Sequence, residues 1–358
     1  MGFFSRGEGE ESDRAKSFAR IEEGGIPPRA KARLQALARE GSLFTSGLSV
    51  NEFALLERLG PQPLAQVMGA SVVRPGWQYL PALEPGMVVI GGLYGPSTTG
   101  RALQNRFTEA SPSQFRNYQW RTEVVCGLDV LTDAWNLARR RALDRLAEEA
   151  REVGADAVVG VHLHRSDHDL GKGTIEYVVT GTAIRHPGSA GTAWPMLSAL
   201  SAQDYWRLHL AGYEPVGMIA TTAVVFASPP RTTRLRRLRT QAQNQELEEL
   251  SRGFQLARET VRARLRGQVA DAHGAGAVGV EFSHTVHREK FPLASAMGSP
   301  SQRGWNKGRL GLPYLVRGRS DAERRGWVIT MHAAGTAVRH RRDPSADPVK
   351  TTMRMGAG

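Results

Sequence analysis

Apolar residues recur at three- and four-residue steps through residues 131–161, LTDAWNLARRRALDRLAEEAREVGADAVVGV. Leu131, Trp135, Ala138, Ala142, Leu146, Ala150 and Val153 fall on one stripe, which predicts a long amphipathic helix. A small-residue turn at Gly154-Ala155 ends it, and the β-branched run Ala-Val-Val-Gly-Val predicts a strand directly afterwards. The same succession returns 119 residues later, at 250–280, LSRGFQLARETVRARLRGQVADAHGAGAVGV. There Leu250, Phe254, Ala257, Val261, Leu265 and Val269 carry the stripe, and Gly274-Ala275-Gly276 makes the turn.

Two further blocks recur. SVNEFALLERLGPQPLAQVMGASVV at 49–73 aligns without a gap on SAQDYWRLHLAGYEPVGMIATTAVV at 201–225, an offset of 152. Each opens with a serine followed three residues later by an acid, Ser49 with Glu52 and Ser201 with Asp204, the pattern of a capping box. Gly60 and Gly212 then stop a short helix before an apolar strand. TIEYVVTGTAIRH at 174–186 matches VITMHAAGTAVRH at 328–340 at an offset of 154. The chain therefore reads as short helix, strand, long helix, strand, strand, twice over. The difference between the first two offsets places 33 extra residues between the first strand and long helix of the first copy. The larger third offset places 35 extra between the last two strands of the second copy, over a Gly-, Ser- and Arg-rich stretch at 288–325 read as a long, mobile loop. Gly91-Gly92-Leu93-Tyr94-Gly95 has no Gly-Lys-Ser/Thr after it and reads as a hairpin turn within the first insertion.

The expected organisation is a polar N-terminal segment at 1–44, mostly disordered to residue 27 with a short helix near Pro28–Glu40. A first repeat follows at 45–187, a linker at 188–199, a second repeat at 200–342 and a loose tail at 343–358. The expected class is α+β, two β-α-β-β repeats, each a sheet-and-helix sandwich.

Leu48-Ser-Val-Asn-Glu-Phe, Val67-Met-Gly-Ala-Ser-Val-Val-Arg-Pro-Gly-Trp77, the long helix, Gly154-Ala-Asp-Ala-Val-Val-Gly-Val161 and Gly181-Thr-Ala183 together resemble a YbjQ-like domain. The second copy resembles it less closely, with His273 where the first has the helix-ending Gly154 and Thr221 in place of Gly69. The resemblance implies a fold like a dodecin subunit with an antiparallel sheet, and homo-oligomeric rings. It also brings a heavy-metal-binding label, but no ligand set that transfers residue by residue.

Composition changes this picture little. The chain has 358 residues, 41% hydrophobic and 23% charged, as in a soluble globular protein, and no run approaches a membrane span. The N-terminus lacks the apolar core of a signal peptide, so the reading is a cytoplasmic, bacterial protein. One cysteine, Cys126, excludes an intrachain disulfide and any cysteine-rich zinc site and reads as a structural thiol. The net charge of +12 lies wholly in residues 196–358. That asymmetry suits an anionic partner, or equally a genome that favours arginine, since Arg outnumbers Lys about sevenfold.

Candidate chemistry is sparse. His162 and His164 share a face of the strand after the first long helix, with His168 beyond them, and His284 and His287 lie in the matching region of the second copy. Imidazoles there suit a divalent metal such as zinc, although Glu281 and Ser283 stand where the first copy has His162 and His164. His186 and His340 are equivalent and read as surface residues at strand ends. Arg231, Arg234, Arg236, Arg237 and Arg239 form a cationic run able to hold phosphates of nucleic acid or anionic lipid, without the interleaved aromatics that stack bases. Trp135 reads as core, and Trp77 and Trp206 as packing or interface residues. No catalytic constellation emerges. The expectation is a non-enzymatic oligomeric binding or scaffold protein with protein partners, with metal binding or arginine-mediated anion binding as alternatives.

Overall fold

A computed structural model describes residues 15–17, 19–21, 23, 25–37, 45–78, 80, 87–90, 93–96, 123–168, 174–230, 244, 246–292 and 323–341. Helix α1 (Pro28–Leu37) precedes α2 (Val50–Leu59) and strand β1 (Gln62–Val73). The capping box forms with both arms: Ser49 Oγ accepts the Glu52 N–H at 3.3 Å, and the Glu52 carboxylate accepts the Ser49 N–H at 2.8 Å. Gly60, at φ 95°, caps the other end in the left-handed conformation that a Cβ disfavours.

The long helix α3 (Asp129–Glu152) buries Trp135, Ala138, Ala142, Leu146 and Ala150, the predicted stripe, against β1 and strand β6 (Thr174–Arg185). Helix and strand meet backbone to backbone at Gly69, where a Cβ would lie 1.9 Å from the Ala142 carbonyl oxygen. Strand β5 (Ala157–His168) completes an antiparallel β1-β6-β5 order.

The second half runs α4 (Ala202–Leu210), β8 (Tyr213–Ser228), α5 (Glu248–Asp271), β9 (Gly276–Pro292) and β10 (Glu323–His340). Its strand order, β8-β10-β9, is again antiparallel and matches the first. The class is α+β.

The shared Gly-Thr-Ala ending has the same job in both halves. β5 opposes Gly160 and Val161 to Gly181 alone, and β9 opposes Gly279 and Val280 to Gly335 alone, so each is a β-bulge. Gly160 and Gly279 both take φ 61°. The threonine that follows then holds the segment entering the short helix: Thr182 Oγ1 accepts the Gly47 N–H at 3.1 Å, and Thr336 Oγ1 accepts the Ala199 N–H at 3.0 Å.

Several expectations need correction. Arg20 and Ile26, in the segment expected to be mostly disordered, are packed, because the acidic flank of α3 offers partners. Arg20 pairs with Glu148 at 2.8 Å, and Ile26 is buried with its N–H on the same carboxylate. The linker contributes strand β7 (Met196–Leu197), which pairs with β5 in parallel, so the first sheet is not wholly antiparallel. Strand β4 (Val124–Gly127), from the first insertion, leaves its own half and pairs with β8. β9 and β10 run to Pro292 and from Glu323, so strand enters the stretch expected to be loop. The expected hairpin is present as β2 (Met87–Ile90) and β3 (Leu93–Pro96), with Ile90 opposite Leu93. Among the described residues, no helix is long and apolar enough to cross a membrane.

Candidate functional site

The strongest concentration of polar chemistry lies where the two sheets meet. α3 spans the meeting: Ala142 lies against Gly69 on β1, and Thr132 and Asn136 reach β8. Three side chains converge there from three strands. Tyr177 on β6 is 1% exposed, Thr222 on β8 is fully buried, and His332 on β10 is 6% exposed. Thr222 Oγ1 lies 2.9 Å from His332 Nδ1 and 3.3 Å from the Tyr177 hydroxyl, which is itself 3.4 Å from the same imidazole nitrogen. The Trp135 ring closes the group edge-on, 4.9 Å from His332 and 5.6 Å from Tyr177.

Burial pushes the His332 imidazole down to about 3, helped by the Arg165 and Arg139 charges, so it is neutral at physiological pH. Asn136 grips the edge of β8 beyond its pairing with β4 in both directions: its amide donates to the Thr222 carbonyl at 3.0 Å and its Oδ1 accepts the Thr222 N–H at 3.1 Å. Thr132 Oγ1 takes the Val224 N–H at 3.0 Å. Arg139, 4% exposed, donates to Asn136 Oδ1 at 2.6 Å; burial lowers it to about 10, which leaves it charged. The cluster has no thiol, and its hydroxyls face a histidine too weakly basic to activate them. Its chemistry is that of a satisfied internal contact.

The residues singled out from the sequence lie elsewhere. His162 and His164 are exposed on β5 and face Thr180 and Val178 across the ladder. The backbone of His168 pairs with Thr174 at the far end of that hairpin. His284 is exposed and lies edge-on to Phe254 at 5.1 Å; His287, also exposed, pairs with Glu289 at 3.2 Å. Among the described residues, no three of His, Cys, Asp and Glu gather as metal ligands. Arg231, Arg234, Arg236, Arg237 and Arg239 lie outside the described residues. Cys126 is buried on β4, where desolvation pushes its thiol up to about 12 and makes it inert. Trp135 is core as expected, Trp206 stacks on His209 at 5.1 Å, and Trp77 is 79% exposed.

His186 is more than a strand-end surface residue: its Nε2 lies 3.2 Å from the Tyr205 hydroxyl, across the boundary between the halves. His332, Tyr177 and Asn136 escaped the sequence reading altogether. The available signal was a histidine at an inward position of an apolar strand.

The family model described as "Putative heavy-metal-binding", YbjQ-like, matches residues 119–186, which take in β4, α3, β5 and β6. The chain is 28% identical over 279 residues to an encapsulin nanocompartment protein of Mycobacterium tuberculosis, covering 75% of this chain and 89% of that protein. It is 48% identical over 62 residues to a UPF0145 protein of Halobacterium salinarum, and 43% identical over 53 residues to one of Methanocella arvoryzae. Those matches cover 17% and 15% of this chain, and 54% and 42% of the respective relatives. The likeness to the YbjQ-like family thus lies over residues 119–186.

Proposed function

We propose that the chain is a non-enzymatic scaffold of two dodecin-subunit-like β-α-β-β repeats, and that copies of it associate into a ring-like homo-oligomer that binds other proteins. One observation carries the reading. The side chains best suited to chemistry, His332, Tyr177 and Thr222, are spent on one another in the contact between the two sheets. A fold that uses its buried polar groups to join repeats is suited to assembly.

The printed name of the mycobacterial relative supports the same direction, since it places that protein with an encapsulin nanocompartment. A protein shell of that kind is the partner class to examine first. Light scattering on the full chain over a wide concentration range tests the reading. The expected result is a mass that is a fixed multiple of 39.1 kDa and survives dilution. A single-chain mass at every concentration would overturn it.

A further inference from the structure

Among the described residues, the contact that joins the two halves within the chain has a matching receiving edge and a matching insert left uncovered. On the occupied side, residues 192–200 run along the outer edge of β5. Ser198 donates its N–H to the Val158 carbonyl at 2.9 Å, and the Val161 and Gly160 N–H groups reach the Ser198 and Leu200 carbonyls at 3.0 and 2.8 Å. α4 then sets Ala202, fully buried, and Tyr205, 8% exposed, into an apolar cluster with Leu56, Ala157, Val159 and Ile184.

The corresponding edge of the second sheet is β9, the last strand in its order. It has the same bulge, with Gly279 at φ 61° as at Gly160. By the offsets of the sequence blocks, Leu208, Gly276, Val278 and Val338 stand where Leu56, Ala157, Val159 and Ile184 stand in the first half. These four line an open cavity of about 300 Å³, together with His340, the counterpart of His186. The cavity therefore occupies the position that Ala202 and Tyr205 fill in the first half.

The matching insert lies at the other end of the chain. Residues 45–48 lead into α2 as 197–200 lead into α4, held on one side by the Thr182 hydroxyl. Val50 holds the position of Ala202 and is 84% exposed; Phe53 holds the position of Tyr205 and is 37% exposed. A second face repeats the pattern. Ala220 and Val224 on β8 are 5% and 2% exposed under the first half, whereas their counterparts on β1, Met68 and Val72, are 46% and 63% exposed.

We propose that the β9 edge and its cavity receive residues 45–53 of a second copy of this chain, repeating between chains the contact that joins the halves within one. This rests on the oligomeric reading above and names the surface that produces it. The contact is head to tail: each chain presents one insert and one receiving edge, the heterologous arrangement that closes into rings or extends into filaments. The open β9 edge, otherwise a liability for uncontrolled pairing, is then covered in the assembly.

Two full-chain variants test it, Val50→Asp on the insert and Gly276→Glu on the receiving edge. Both sites tolerate the change within one chain, since Val50 is exposed and a Cβ at Gly276 meets nothing within 4 Å. Measured by light scattering, each variant alone should fall to the single-chain mass of 39.1 kDa. An equimolar mixture should give twice that, because each variant supplies the half that the other lost. Pairing in the mixture also shows that both variants are folded. If the wild type assembles and both variants assemble unchanged, this surface is wrong while the scaffold reading stands. If both variants melt cooperatively yet their mixture does not pair, the head-to-tail contact is overturned. A wild type of single-chain mass removes both readings together.

Discussion

The outer edges of β5 and β9 are built alike and end differently. Each begins after a long helix, carries a bulge glycine at φ 61°, and lies opposite a Gly-Thr-Ala segment. The β5 edge is covered by β7, while β9 is the last strand of its sheet among the described residues. The local sequence sets the form of an edge, and the chain's connectivity decides what covers it. In the first half, the following segment is tethered and folds back onto the edge. In the second half, no described strand pairs with the outer edge of β9, and the contact proposed above covers it from another chain.

The comparison can be broken most severely where the halves differ in helix-to-strand approach. Gly69 lets β1 reach the backbone of α3, whereas its counterpart Thr221 is accommodated, 2% exposed, on β8. Gly69→Thr gives the first half the second half's residue, and we expect a loss of about 3 kcal/mol or more from overpacking. Chemical denaturation reads it directly; an unchanged midpoint would mean that the two halves pack their helices alike.

His332 is the next difference, since Val178 holds its place in the first half. Its folded pKa, about 3, lies below the ordinary value of 6.5, so the unfolded chain binds a proton that the folded chain refuses. Stability should be flat above about pH 6.5 and fall as the pH drops from there towards the folded value. By about pH 4 this group accounts for roughly 3 kcal/mol. His332→Gln should flatten that limb. An identical acid limb in the variant would place the pH dependence elsewhere.

Smaller effects sharpen the correspondence. Thr182→Val and Thr336→Val each remove the acceptor for one amide of the pre-helix segment, at a cost of about 1 kcal/mol. Amide exchange should quicken at Gly47 in one variant and at Ala199 in the other. His273, at φ 53°, is the one non-glycine with positive φ among the described residues, and it stands where the first half has Gly154 at φ 71°. His273→Gly should stabilise the chain by about 1 kcal/mol and raise Tm by a few degrees.

Much of the fold was legible because it rests on local periodicity. The stripe from Trp135 to Ala150, the Ser49 capping box and the hairpin at Gly91-Gly92 follow from spacing and turn chemistry alone. The contact between the halves was not legible. Alternation along β6 and β10 marks Tyr177 and His332 as inward-facing without saying which surface meets them. β4 and β7 are short strands in stretches that read as insertion and linker, and only tertiary pairing makes them strands. The candidate histidines were chosen for their spacing on one strand, which says nothing of the neighbouring strand, where Thr180 and Val178 stand opposite His162 and His164.

Native mass spectrometry of the untagged full chain, prepared without chelators, tests the central claim most directly. The account predicts one assembly whose mass is an integral multiple of the bare 39.1 kDa polypeptide. A single chain, or a constant excess per chain of metal or nucleotide size, would contradict it.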